Sequence, residues 1–195
     1  MTTILSGLAR QAVVAIGVLV ALTVILGAAY PAVVWSVSRI DAAQAEGSAI
    51  TVDGCRLGSP LIGVDPQPRP GEPDRYLHAR VSASAPSNLG PNNTDLRFRI
   101  EEQRALVAHR DGVAPAAVPA DAVTGSASGI DPDISPEYAA LQIPRIAREN
   151  HRSTADVRAI VDEHTSGRQW GYLGEPRVNV LRVNVALGLV PADCR

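Results

Sequence analysis

Hydrophobic positions are spread unevenly along this 195-residue chain. No charged residue occurs between Arg10 and Arg39, and the run from Ala12 through Trp35 is almost wholly apolar. A bilayer core about 30 Å thick is crossed by about 20 helical residues at a rise of about 1.5 Å each. The pattern therefore predicts a membrane-spanning helix over 11–37. Tyr30 and Trp35 at its far end suit the headgroup level, and Pro31 marks a kink or a contact with neighbouring helices. A cleaved signal peptide ending near Gly27-Ala28-Ala29 would have an apolar stretch of only about 7–15 residues. The longer run here predicts an uncleaved anchor.

Beyond the anchor the pattern shortens and breaks often. Ile50–Val52 and Leu61–Gly63 read as strands around a turn at Asp53-Gly54. The Pro- and Gly-rich stretch 64–73 reads as an irregular surface connection, and Tyr76–Val81 as a further strand. A helix is expected over Asp95–Arg110, capped by Asn93 or Thr94 and stopped by Gly112. Ala122–Thr124 suggests a strand. Ser135-Pro136-Glu137 opens a helix to Ile143 that Pro144 kinks or restarts. Ser153 opens another, with Asp156 completing a capping-box-like pair and Val157, Ile160 and Val161 on its buried face. Over Val178–Leu187, strand and helix periodicities both fit. These elements predict an α+β fold, with a short cytoplasmic tail at 1–10, one N-terminal transmembrane helix, and a single mixed α/β extracytoplasmic domain over 38–195.

Composition narrows the chemistry. Net charge is −2, so no basic field draws nucleic acid. All 18 basic residues are Arg, and a P-loop that needs Lys for its phosphates is excluded. Gly125-Ser126-Ala127-Ser128-Gly129 fails the nucleophile-elbow pattern because Ala127 holds the central position. His78, His109, His151 and His164 lack metal-ligand spacing and read as surface or hydrogen-bonded residues. Asp131-Pro132-Asp133 lacks the closing ligands of a Ca²⁺ loop and reads as an Asx-turn before Ser135. Cys55 and Cys194 are either separate thiols or a disulfide tying the two ends of the domain together outside the membrane. Basic residues flank the anchor almost equally, so the positive-inside rule is nearly indifferent; a cytoplasmic N-terminus suits the cysteines better.

Several segments, in order across nearly the whole chain, resemble the C subunit of the bacterial potassium-transporting P-type ATPase, the KdpC family. They are Tyr30-Pro31, Gly58-Ser59-Pro60-Leu61-Ile62-Gly63, Ser87-Asn88-Leu89-Gly90-Pro91, and Val123 through Pro136 with Ser126, Ser128, Gly129 and Asp131. Gln142-Ile143-Pro144-Arg145-Ile146-Ala147, His164-Thr165-Ser166-Gly167-Arg168 and Gly174-Glu175-Pro176-Arg177-Val178-Asn179-Val180-Leu181 complete the series. Departures occur at Ala79-Arg80-Val81-Ser82-Ala83, which lacks the family's Gly and Pro, and at Val64, where the family has Gln.

The resemblance implies a non-catalytic accessory subunit of a high-affinity potassium-uptake complex in the cell membrane. Its partners would be a channel-like K⁺-translocating subunit, an ATP-hydrolysing P-type subunit and membrane lipid, with no nucleic acid. It further implies a catalytic chaperone that raises ATP affinity of the hydrolysing subunit, with Gln142 as the residue proposed to meet the nucleotide and no cofactor of its own. The alternative is an independent membrane-anchored extracytoplasmic enzyme or ligand-binding protein.

Overall fold

A computed structural model describes residues 2–80 and 89–189, with side chains from Gly7 onward. The chain forms two compact units, Met1–Gly47 and Ser48–Arg195. The first is helical: α1 (Thr2–Val24), a π-helical turn at Ile25–Ala29, α2 (Tyr30–Ser38), a 3₁₀ turn at Arg39–Asp41 and α3 (Ala42–Ala45). Its apolar stretch is long enough to cross a membrane, and none of it is buried within the protein. Helical structure continues past the end expected at 37 because Asp41 caps a further turn, its carboxylate accepting from the Gln44 N–H at 3.1 Å.

The second unit is a mixed α/β domain. Strands β1 (Ile50–Val52) and β2 (Cys55–Gly58) form a hairpin, turning at Asp53 (φ 50°) and Gly54 (φ 80°), the left-handed pair that a two-residue hairpin loop demands. The second strand is thus Cys55–Gly58; the expected strand at Leu61–Gly63 is a loop. Helix α4 (Thr94–Asp111) starts at Asn93, whose side chain accepts from the Asp95 and Leu96 N–H groups, and stops at Gly112 with φ 67°. The expected strand at Ala122–Thr124 is a 3₁₀ turn, Asp121–Val123.

A three-stranded antiparallel sheet has the order β3 (Asp133–Ile134), β5 (Arg177–Asn179), β4 (Thr165–Ser166). Helix α5 (Pro136–Glu149) runs unbroken through Pro144. That ring sits on the solvent face, where the Ala140 carbonyl it deprives of a donor is within reach of water. Helix α6 (Thr154–Glu163) starts at Ser153, and α7 (Val180–Ala186) starts at Asn179, which accepts from the Arg182 N–H. The ambiguous segment 178–187 is therefore strand first and helix second, divided at an Asn cap.

The core lies where the inward faces of α5, α6 and α7 meet β5. Tyr138, Ile143, Ile146, Val157, Val178, Val180 and Val183 are fully buried there. Burying side chains of this size stabilises the fold by about 1.5–3 kcal/mol each. Through the same interior passes an extended segment, Asp74–Arg80, with Leu77, His78 and Ala79 all buried. The stretch over 76–80 forms no sheet ladder, contrary to the expected strand; Val81 lies outside the described residues.

Candidate functional site

A buried extended segment must have its backbone polar groups paired. Here two side-chain amides take the place of a neighbouring strand. Gln142 of α5 accepts from the His78 N–H (2.9 Å) and donates to the His78 carbonyl (3.1 Å). Asn184 of α7 does the same for Leu77, accepting from its N–H and donating to its carbonyl, both at 2.8 Å. Each amide reproduces the donor–acceptor pair that a peptide group would offer.

A charged network surrounds this clamp. The Arg145 guanidinium donates to the Asp111 carboxylate at 2.6 Å, to the carbonyls of Asp74 (2.7 Å) and Tyr76 (3.0 Å), and to Gln142 Oε1 (3.0 Å). Arg110 meets the second Asp111 oxygen at 3.0 Å and donates to the Tyr138 hydroxyl at 2.8 Å. His78, 2% exposed, places Nδ1 2.9 Å from Asp65 and Nε2 2.9 Å from Asp74. Ionised carboxylates only accept, so both contacts are hydrogen bonds only when the ring is an imidazolium. Three carboxylates, Asp65, Asp74 and Asp111, then face three cations, His78, Arg110 and Arg145. Burial pulls the His78 pKa down, but the bonds to Asp65 and Asp74 outweigh it and the pKa stands above 6.5. Burial likewise opposes ionisation of Asp74, yet His78 and Arg145 hold its pKa below 3.8.

A second constellation joins the Ser-rich loop to the sheet. Arg80 donates to Asp131 at 3.0 Å and to the Thr124 carbonyl at 3.1 Å. The other Asp131 oxygen accepts from the Asp133 N–H at 3.1 Å, the expected Asx-turn. Within the loop Ser126 and Ser128 are 3.0 Å apart, and Ser128 caps the Ile130 N–H. Gly63 lies against this loop, donating to the Ile130 carbonyl at 2.8 Å. A Cβ there would fall 2.3 Å from the Asp131 carbonyl oxygen, so the close approach requires glycine. Asn179 then fastens three segments at once: its amide donates to the Pro60 carbonyl (2.9 Å) and to Asp133 (2.8 Å), and its oxygen caps α7. The His164 carbonyl accepts from the Asn179 N–H.

The motif residues thus fall into four places. Gln142 and Arg145 share the buried clamp; Pro144, between them, faces solvent. Ser126, Ser128, Gly129, Asp131, His164 and Asn179 gather around the sheet. Gly167, Arg168 and Pro176 occupy an exposed loop closed by an Arg168–Glu175 ion pair. Gly90 and Pro91 precede α4, while Asn88 and Cys194 lie outside the described residues. Cys55 is disulfide-bonded. The sequence reading missed Asp65, Asp74, Asp111 and Asn184, and took His78 for one of four ordinary histidines. The one available signal was the i, i+4 spacing of Asp74 and His78 beside the apolar Leu77.

The residues that build both constellations lie in segments held in common with known proteins. The family described as the K⁺-transporting ATPase c chain, KdpC, matches residues 12–188. The chain belongs to the KdpC family. Among its relatives, the potassium-transporting ATPase KdpC subunit of Kineococcus radiotolerans is 46% identical over 196 residues, covering 96% of this chain and 97% of the relative. The KdpC subunit of Dechloromonas aromatica is 44% identical, covering 90% and 95%, and that of Streptomyces avermitilis 41%, covering 87% and 89%. As a KdpC-family chain it spans nearly the full length of these relatives. Among its described residues no three His, Cys, Asp or Glu side chains converge as metal ligands.

Proposed function

We propose that this chain is a non-catalytic accessory subunit of an ATP-driven potassium-uptake pump, anchored by its N-terminal helix beside a channel-like K⁺-translocating subunit and a P-type ATP-hydrolysing subunit. The observation that carries this reading is the engagement of Gln142 and Arg145 inside the domain. Groups that would bind or react in an enzyme are here used to hold the segment 74–80 in place. The domain then offers partners a shaped surface rather than a reactive cleft.

The N-terminus lies in the cytoplasm and the domain outside it, an orientation supported by the disulfide at Cys55. The subunit raises the ATP affinity of the hydrolysing subunit by coupling through the membrane-spanning subunits. In support, the Gln142 side chain is 0% exposed, so direct contact with a nucleotide requires breaking its pairing with His78.

Detergent extraction of the tagged chain is expected to carry two larger integral subunits with it. Removing the chain from that assembly is expected to raise the ATP concentration needed for half-maximal K⁺-stimulated hydrolysis. Isolation of the chain as a stable monomer with its own turnover would overturn the proposal. After reduction, a membrane-impermeant thiol reagent is expected to label Cys55 in intact cells; labelling only after lysis would invert the orientation.

A further inference from the structure

The apolar helix carries one break in its hydrogen bonding, and the break has an identifiable cause. Between α1 and α2 the turn Ile25–Ala29 is π-helical, and the Tyr30 N–H reaches back five residues to the Ile25 carbonyl. Pro31 follows at once. Its ring conflicts with the carbonyl four residues earlier, that of Gly27, and it has no N–H to offer. One extra residue in the turn relieves the conflict while Val24, Ala29 and Tyr30 keep helical dihedrals.

The cost falls on the Leu26 carbonyl. Its donor in a regular helix, four residues on, is the Tyr30 N–H, which is engaged by Ile25. The donor that a π-turn would supply, five residues on, is Pro31, which has none. Side chains on the same span are aimed elsewhere: Ser36 donates to the Ala32 carbonyl at 2.8 Å and Ser38 to the Trp35 carbonyl at 2.7 Å. Leu26 lies 16 residues after Arg10 and 13 before Arg39, about 24 Å and about 20 Å along a helix. That depth is the middle of the hydrocarbon layer, where no water is available and a carbonyl without a donor is costly. Beside it, a Cβ built on Gly27 meets nothing within 4 Å, and Ala28 and Ala29 follow. A neighbouring backbone can approach closely there.

We infer that the Leu26 carbonyl accepts a hydrogen bond from a polar side chain, a hydroxyl or an amide, on a transmembrane helix of a partner pump subunit packed against Gly27. The hydrocarbon offers no donor, and the π-turn leaves an acceptor without its helical donor directly beside the smallest residue. π-turns of this kind recur at functional contacts inside longer helices. The inference rests on the reading of the chain as a pump subunit.

The test uses the full chain, tagged and co-expressed with the pump subunits, with partner retention measured across a series of rising detergent concentrations. Pro31→Ala restores the missing N–H and lets the turn relax to α-helix. Gly27→Leu keeps the π-turn and blocks the approach. Gly17→Leu, at another glycine with open space around it, is the control. Each of the first two is expected to lower retention by about three- to thirtyfold, the scale of one hydrogen bond within a membrane, while Gly17→Leu retains partners as the wild type does. Wild-type retention by both variants would overturn the inference and leave the subunit reading intact, as would a bond made to a second copy of this chain, seen as a dimer with no pump subunit bound. Failure of the wild type to retain any pump subunit would overturn both.

Discussion

His78 sits where geometry and charge require a cation. Its two ring nitrogens face Asp65 and Asp74, and the charges around it are those of Asp111, Arg110 and Arg145. Because its folded pKa lies above 6.5, its contribution to stability is fully present below pH 6.5 and is lost as pH rises through the folded value. Urea unfolding across this range is expected to show stability falling with rising pH, and His78→Gln to flatten that slope. Asp74 acts in the opposite sense: with its pKa held below 3.8, its contribution is present above pH 3.8 and is lost as pH falls through the folded value. Gln142 makes a sharper case. Gln142→Leu keeps the volume but strips partners from the buried His78 N–H and carbonyl and from Arg145. At about 1–3 kcal/mol for each group left unpaired, the domain is expected to lose about 3 kcal/mol or more in the same titration. An effect on ATP affinity without that loss would point to a nucleotide contact instead.

At the scale of elements, the helices were legible in the sequence because their ends are written in local chemistry. Asn93, Ser135 and Ser153 each accept from the N–H groups they cap, and Gly112 supplies the left-handed stop. The strands were less legible. A strand of two or three residues such as β3 or β5 is fixed by the partner it pairs with, not by its own alternation. The clamp was hidden for the same reason: the segment 76–80 is extended because side chains from α5 and α7, more than 60 residues away in sequence, pair with its backbone. Pro144 was read by its average effect on a helix, whereas its position on the solvent face decides its actual effect. Replacing it with Ala restores one N–H to a helix that is already straight enough to bury Gln142, Ile143, Ile146 and Ala147. Pro144→Ala is therefore expected to raise the thermal midpoint, by at most about 3 kcal/mol of stability less about 0.4–1 kcal/mol for the greater freedom of the unfolded chain, leaving helix content by circular dichroism unchanged.

On the scale of the whole molecule, the division between Gly47 and Ser48 separates two different ways of disposing apolar surface. The first unit places its apolar surface outward, which suits lipid; the second gathers its apolar side chains into a core of its own, from Leu77 through Leu187. A unit with its own core folds without the rest of the chain. Residues 48–195, expressed alone in an oxidising compartment, are expected to remain soluble and to unfold in one cooperative urea transition. The disulfide at Cys55 sits near the entry to that unit, at the first residue of β2 in the hairpin. A cross-link there acts mainly by limiting the freedom of the unfolded chain, and reduction is expected to cost about 2–4 kcal/mol. Dithiothreitol should therefore shift the urea midpoint downward and steepen the transition, because the reduced chain unfolds to a less compact state. The pH dependence set by His78 should persist in the reduced domain, because none of its partners belongs to the hairpin. A reduced domain that unfolds at the same urea concentration as the oxidised one would show that the cross-link adds nothing to the stability of the domain.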